Sequence, residues 1–172
     1  IAEARVRGFQ GPGNDLSDTL TVLACVKHFA AYGAPQGGRD YNTVDMSERV
    51  FLDTYLPPYK AAIDAGAMSV MTSFNEYDGV PATGSKYLLT ELLREKLGFK
   101  GLVVTDYTSI NEMVHHGVAK DDAEAGLLAI NAGVDMDMQG EVYFKYLKKQ
   151  VEEGLVKESQ VDDAVRRILK IK

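Results

Sequence analysis

Cysteine is nearly absent: Cys25 stands alone in 172 residues, so no internal disulfide can form and the fold does not depend on an oxidising compartment. There is no second cysteine, and none of the three histidines pairs with another one helical turn away. That excludes the ligand spacing of a zinc site, and neither metal nor cofactor is expected. Nor is there a basic cluster able to track a phosphate backbone. The 19 Lys and Arg face 25 Asp and Glu, a formal net charge of -6 spread over mixed-sign segments, so nucleic acid is not an expected partner. No apolar run is long enough to span a bilayer, and no membrane partner is expected. The first residues, Ile1 to Arg7, read as helix rather than as a signal peptide. A chain that opens in mid-helix is expected to be a fragment whose native N-terminus has been lost.

What is present is a 45% hydrophobic composition, enough for one domain, here residues 1–172, with a substantial core. Four strand-length apolar runs punctuate the chain: Val22 to Phe29, Ala67 to Phe74, Gly101 to Thr105 and Gly133 to Met136. Longer amphipathic stretches lie between them. Ser47 to Ala65 carries Val50, Tyr55, Leu56, Tyr59, Ala62 and Ile63 at helical spacing, with Pro57 and Pro58 predicted to kink or split it. Lys86 to Leu97 presents Leu88, Leu89, Leu92, Leu93 and Leu97 as one stripe that Gly98 ends. Asp121 to Asn131 follows a shorter helical piece around Ile110 to Val114. Two closing helices are predicted over Glu141 to Glu153 and Ser159 to Ile171, with Ser159 and Asp162 favouring the start of the second. Strand alternating with helix implies right-handed βαβ units and a parallel sheet covered by helices, an α/β fold. Four strands make either a small open sheet or half of an eight-stranded barrel, whose usual length is about 250 residues.

In such folds the chemistry collects beyond the C-terminal ends of the strands. Those ends deliver Lys27 and His28, then Asn75 and Glu76, then Asp106 and Tyr107, then Asp135 and Asp137. Asp106 closes the apolar run Gly101-Leu102-Val103-Val104-Thr105 and is either a site carboxylate or the N-cap of the helix that begins near Ser109. Lys27 and His28 follow Ala24-Cys25-Val26 directly, where alternation turns one of them inward, and unpaired buried charge is expensive enough to mark a site. The long polar and aromatic loop from Gly33 through Arg39, Asp40, Tyr41 and Asn42 reads as functional. His115 and His116, before Gly117, read as C-terminal capping residues. The glycines of Gly8 to Gly13 follow a helix and open none, so that stretch is a connector rather than a phosphate loop.

Taken in order, Lys27-His28-Phe29-Ala30-Ala31-Tyr32-Gly33-Ala34-Pro35, Gly37-Gly38-Arg39-Asp40-Tyr41-Asn42, Val70-Met71-Thr72-Ser73-Phe74-Asn75 with Asp78-Gly79-Val80-Pro81-Ala82, and Gly98-Phe99-Lys100-Gly101-Leu102-Val103-Val104-Thr105-Asp106-Tyr107 resemble family-three glycoside hydrolases of the β-glucosidase and β-xylosidase type. The resemblance runs over essentially the whole chain and implies the C-terminal half, the last four βα units, of a TIM (β/α)8 barrel. It implies a retaining, exo-acting β-glycosidase that removes terminal sugars from β-glucosides or oligosaccharides through a covalent glycosyl-enzyme. Asp106 matches the nucleophile, and Lys27 and His28 match the pair that binds sugar hydroxyls in the innermost subsite, with Lys27 near enough to Asp106 to favour its ionised form. Phe74 stands where many members have tyrosine, Tyr107 where many have tryptophan, and Arg39 lies in the matching loop; all three are expected to contact sugar.

The resemblance also says what to expect outside these residues. In most glucosidase-type members the acid/base is a glutamate on the α/β sandwich domain after the barrel. In the N-acetylglucosaminidase branch it is an Asp-His pair in the loop after the Lys-His strand, and the loop from Tyr32 to Asn42 has no histidine. Glu48 and Glu76 match neither position, so the isolated chain is expected to be weak or inactive. Its expected partners are a carbohydrate substrate together with the missing barrel half and sandwich domain, or a second copy of the chain. A periplasmic or secreted address fits the full-length enzyme. An alternative from another class is a non-catalytic carbohydrate-binding or self-associating half-barrel module, since an open barrel edge is a template for pairing.

Overall fold

The alternation of apolar and amphipathic stretches resolves, in a computed structural model describing residues 1–172, into parallel strands wrapped by helices. Strands β1 (Cys25–Phe29), β3 (Ser69–Thr72) and β6 (Leu102–Val104) form one parallel sheet in that order. The fourth predicted strand contributes a single parallel bridge, Met136 to Val104, extended by bonds from Asp135 N–H to Val103 O (2.9 Å) and Thr105 N–H to Met136 O (3.0 Å). The sheet therefore runs in chain order, each strand beside the next. The pairing of β1 with β3 slips between Val26 and Phe29. That irregularity falls on the segment carrying His28.

The crossover segments match the predicted helices in place but not always in winding. Between β1 and β3, α2 (Glu48–Val50) runs into a π-helical turn (Phe51–Tyr55) and then α3 (Pro57–Asp64). Pro57 and Pro58 occupy the first turn of α3, where a missing N–H costs nothing, so the two prolines divide the helix as expected. The leucine stretch between β3 and β6 is a π-helix over Tyr87–Lys96, with Leu97 N–H bonded to Leu92 O at 2.9 Å. It still buries Leu88, Leu89, Leu92 and Leu93 completely or nearly so, and Gly98, at φ 70°, turns the chain out of it. After β6 come α4 (Ser109–His115), α5 (Asp122–Ala132), α6 (Val142–Glu152) and α7 (Glu158–Ile171), while α1 (Ala2–Gln10) packs on α3. Ser159 does not cap α7: the helix starts one residue earlier, and the N–H of Lys157 donates to Gln160 Oε1 at 3.0 Å.

The main core lies between the sheet and the helices after β1, β3 and β6, with Phe29, Phe51, Val70, Leu93, Val103, Ile110 and Met113 fully buried. Burying a side chain of this size contributes about 1.5–3 kcal/mol. The connector after α1 is pinned rather than loose: buried Gln10 donates to Gly66 O and Asn14 Oδ1 and accepts from Ala24 N–H, each at 3.0 Å. The loops after β1 and β3 also join. β2 (Thr43–Val44) pairs in parallel with β4 (Glu76–Tyr77), which turns through Asp78-Gly79 into β5 (Val80–Pro81). Both turn residues have positive φ, 54° and 75°, the conformation a tight two-residue hairpin needs. The long loop predicted to be functional is thus held against its neighbour.

Candidate active site

Asp106 follows β6 at its C-terminal end and is not a helix cap. The N-cap of α4 is Thr108, while Asp106 Oδ1 accepts the N–H of Tyr107 at 2.7 Å. The other oxygen, Oδ2, lies 3.2 Å from Nε2 of His28, with the two side chains 17% and 25% exposed. A carboxylate anchored by one oxygen and open at the other, in a half-buried place, is arranged to act on a ligand. Burial is the largest influence on His28 and holds its pKa below 6.5; the charge of Lys27 adds to that, while Asp106 and Asp40 oppose it. The imidazole is accordingly neutral at pH 7 and able to donate one N–H.

Aromatic rings wall this pair. Tyr32 lies 4.7 Å from the His28 ring, Phe74 6.5 Å from Tyr32, and Tyr41 4.6 Å from Phe74. The hydroxyl of Tyr32 donates to Asp40 Oδ1, which also accepts the N–H of Tyr41 at 3.0 Å. Burial, then the Asp40 bond, pushes the Tyr32 pKa well up, so this hydroxyl stays a donor. Three residues around the site that are not glycine have positive φ: Ala31 (62°), Tyr41 (65°) and Thr108 (54°). Such conformations cost about 1–3 kcal/mol each and persist where surrounding structure enforces them, commonly at functional sites.

The predicted site residues divide. His28, Asp106, Phe74 and Tyr107 come together, with Tyr107 60% exposed and joined to Asp106 through its backbone. Lys27 precedes His28 on β1. Its side chain is exposed, forms no ion pair, and lines a groove of about 1020 Å³ between α1, β1 and α3 that does not reach Asp106. Arg39 is exposed at the end of a short 3-10 turn (Gln36–Gly38) and is likewise unpaired. The second cavity, about 620 Å³ beside β2, β4 and β5, also lies apart from Asp106.

Several strand-end residues serve the fold instead. Asp135, 1% exposed, receives Arg94 Nη2 and Val103 N–H at 2.8 Å on one oxygen and Arg167 Nη1 at 2.6 Å on the other. Asp137 Oδ2 accepts the N–H of Val142 at 2.7 Å, at the start of α6. Glu76 is bound by His116 Nδ1 at 2.7 Å, so His116 is a long-range tie rather than only a helix end. Glu48 accepts from the Tyr87 hydroxyl at 2.7 Å. The Tyr32–Asp40 pair was not foreseen as a unit; its one sequence signal was the aromatic and acidic character of the loop after β1.

Residues 1–171 match the family model described as the glycosyl hydrolase family 3 N terminal domain. A periplasmic beta-glucosidase of Salmonella typhimurium is 45% identical over all 172 residues, which cover 22% of that protein. A beta-xylosidase of Formosa agariphila is 39% identical over 137 residues, 78% of this chain and 19% of that one. The crystal structure of a beta-glucosidase from Listeria innocua superposes with a TM-score of 0.96 at 45% identity, over 99% of this chain and 24% of that chain. The chain spans about a fifth of the length of the relatives it matches. It belongs to glycosyl hydrolase family 3, and its βα units are the C-terminal half of a TIM (β/α)8 barrel.

Proposed function

We propose that residues 1–172 are part of the barrel domain of a retaining, exo-acting β-glycosidase that releases terminal sugars from β-glucosides or oligosaccharides. The observation that carries this reading is the placement of Asp106: beyond the end of a buried central strand, with one oxygen fixed by Tyr107 N–H and the other facing His28. Asp106 Oδ2 attacks the anomeric carbon, the glycosidic C–O bond breaks, and the departing oxygen takes a proton from a general acid. Water then displaces Asp106, giving its proton to the group that had acted as the acid, and restores the carboxylate. His28, Phe74 and Tyr107 contact the sugar, with Lys27 and Arg39 as further binding residues. Glu48 and Glu76 are engaged by Tyr87 and His116, so the acid comes from another part of the protein. On this reading its partners are the remaining barrel half and a following domain. The whole protein is read as exported, by likeness to the relative named periplasmic; no helix here is long and apolar enough to cross a membrane.

The test is intact mass after incubation with a 2-fluoro-glycoside bearing a reactive leaving group, which bypasses much of the need for an acid. Protein containing this segment gains one glycosyl unit and its Asp106→Asn variant gains none. Equal labelling of both removes Asp106 from the nucleophile's role.

A further inference from the structure

The end of β1 that carries His28 leaves the regular ladder, so its carbonyls need other partners. Each finds a different donor. The carbonyl of His28 accepts the hydroxyl of Tyr59, reaching in from α3, at 2.5 Å. The carbonyl of Phe29 accepts Ser73 N–H at 2.8 Å. That of Ala30 accepts Ser73 Oγ at 3.3 Å and Asn75 Nδ2 at 3.2 Å. Tyr59 is further fixed by its ring, edge-on to Phe29 with centroids 5.1 Å apart and planes at 84°. Asn75 is fully buried.

Clamping the His28 carbonyl from the helix layer fixes the backbone from which its ring reaches Asp106. We infer that Tyr59 and Asn75 are positioning residues that hold the backbone around His28 and thereby set its imidazole against Asp106 Oδ2. Neither touches the reacting atoms. Burial keeps Tyr59 protonated, its pKa pushed up to about 12, so the clamp holds across the working range of pH. The inference rests on the proposed roles of His28 and Asp106.

The experiment compares Tyr59→Phe, Tyr143→Phe and Asp106→Asn in the enzyme carrying this segment, with an aryl β-glucoside as substrate. Tyr143 is a matched control: it too donates a buried hydroxyl to a strand carbonyl, that of Val134, at 3.0 Å. Tyr59→Phe and Tyr143→Phe are expected to lower Tm similarly. Only Tyr59→Phe lowers kcat, by about tenfold, since a misplacement near 1 Å can cost about 10²-fold. It also moves the acidic limb of the kcat/KM profile to higher pH, because a His28 ring that swings free regains water. Asp106 faces it at 3.2 Å, and the charges of Lys27 and Asp40 also act on it. Unchanged kcat, KM and pH limb in Tyr59→Phe, beside an inactive Asp106→Asn, overturns the positioning role alone; turnover retained in Asp106→Asn overturns the site reading and this inference together. If Tyr59→Phe does not fold, Asn75→Ala gives the same two readings.

Discussion

Removing the carboxylate of Asp135 tests whether its ionic cluster with Arg94 and Arg167 helps hold the fold together. Asp135 sits between the last strand segment, the π-helix through Arg94 and α7 through Arg167. In Asp135→Ala, the N–H of Val103, in a fully buried residue, loses its side-chain acceptor. An unsatisfied buried donor costs about 1–3 kcal/mol. The two guanidinium groups lose their shared anion, and breaking a buried pair from one side costs about 3–5 kcal/mol. Arg94 retains bonds to Gly101 O (3.2 Å) and Gly133 O (3.0 Å), and the Arg167 side chain is 28% exposed and can rehydrate. These two facts place the total near the lower end, about 3 kcal/mol. Asp135→Asn keeps an acceptor for Val103 and should lose about half as much. Urea unfolding followed by far-UV circular dichroism reads the difference as a shift in midpoint at constant slope. A loss below about 1 kcal/mol in Asp135→Ala would refute the assignment.

Three further predictions concern the site and the sheet. Because the Asp106 charge raises the His28 pKa against burial, Asp106→Asn should push it further below 6.5, as read from imidazole resonances in an NMR titration; an upward shift would contradict the geometry. A histidine whose folded pKa is depressed gives stability that is complete above pH 6.5 and is lost as pH falls from there to the folded value, so a His28→Gln variant should lose that pH dependence in urea midpoints. At Gly101 an added Cβ would stand 2.1 Å from Met68 O, a backbone atom that cannot rotate away. Gly101→Ala should therefore destabilise by about 3 kcal/mol, the top of the overpacking range, measured by thermal unfolding.

Much of this architecture was legible because it rests on local pattern. The four apolar runs, the leucine stripe and the proline break all depend on spacing within a dozen residues; three of the runs hold strands and the fourth a single bridge, and the stripe and the break lie where the spacing placed them. The π winding of Tyr87–Lys96 was not legible, since one apolar face looks alike under slightly different helical periods. The β4–β5 hairpin had a signal in Asp78-Gly79 that strand-length arguments passed over. Asp135 and Asp137 looked like site carboxylates from position alone. The partners of Asp135, Arg94 and Arg167, are 41 and 32 residues away in sequence, and only the fold brings them together.

His28 and Asp106 stand on strands of unequal standing. β6 is flanked by β3 and by the bridge at Met136, whereas β1 has a ladder partner only in β3. A change in whatever docks along the free side of β1 will be felt at His28 before it reaches Asp106. If His28 and Asp106 act as proposed, divergence along that side can retune sugar choice through the first of these residues while leaving the bond-forming oxygen undisturbed, so the fold separates the inheritance of chemistry from the inheritance of taste.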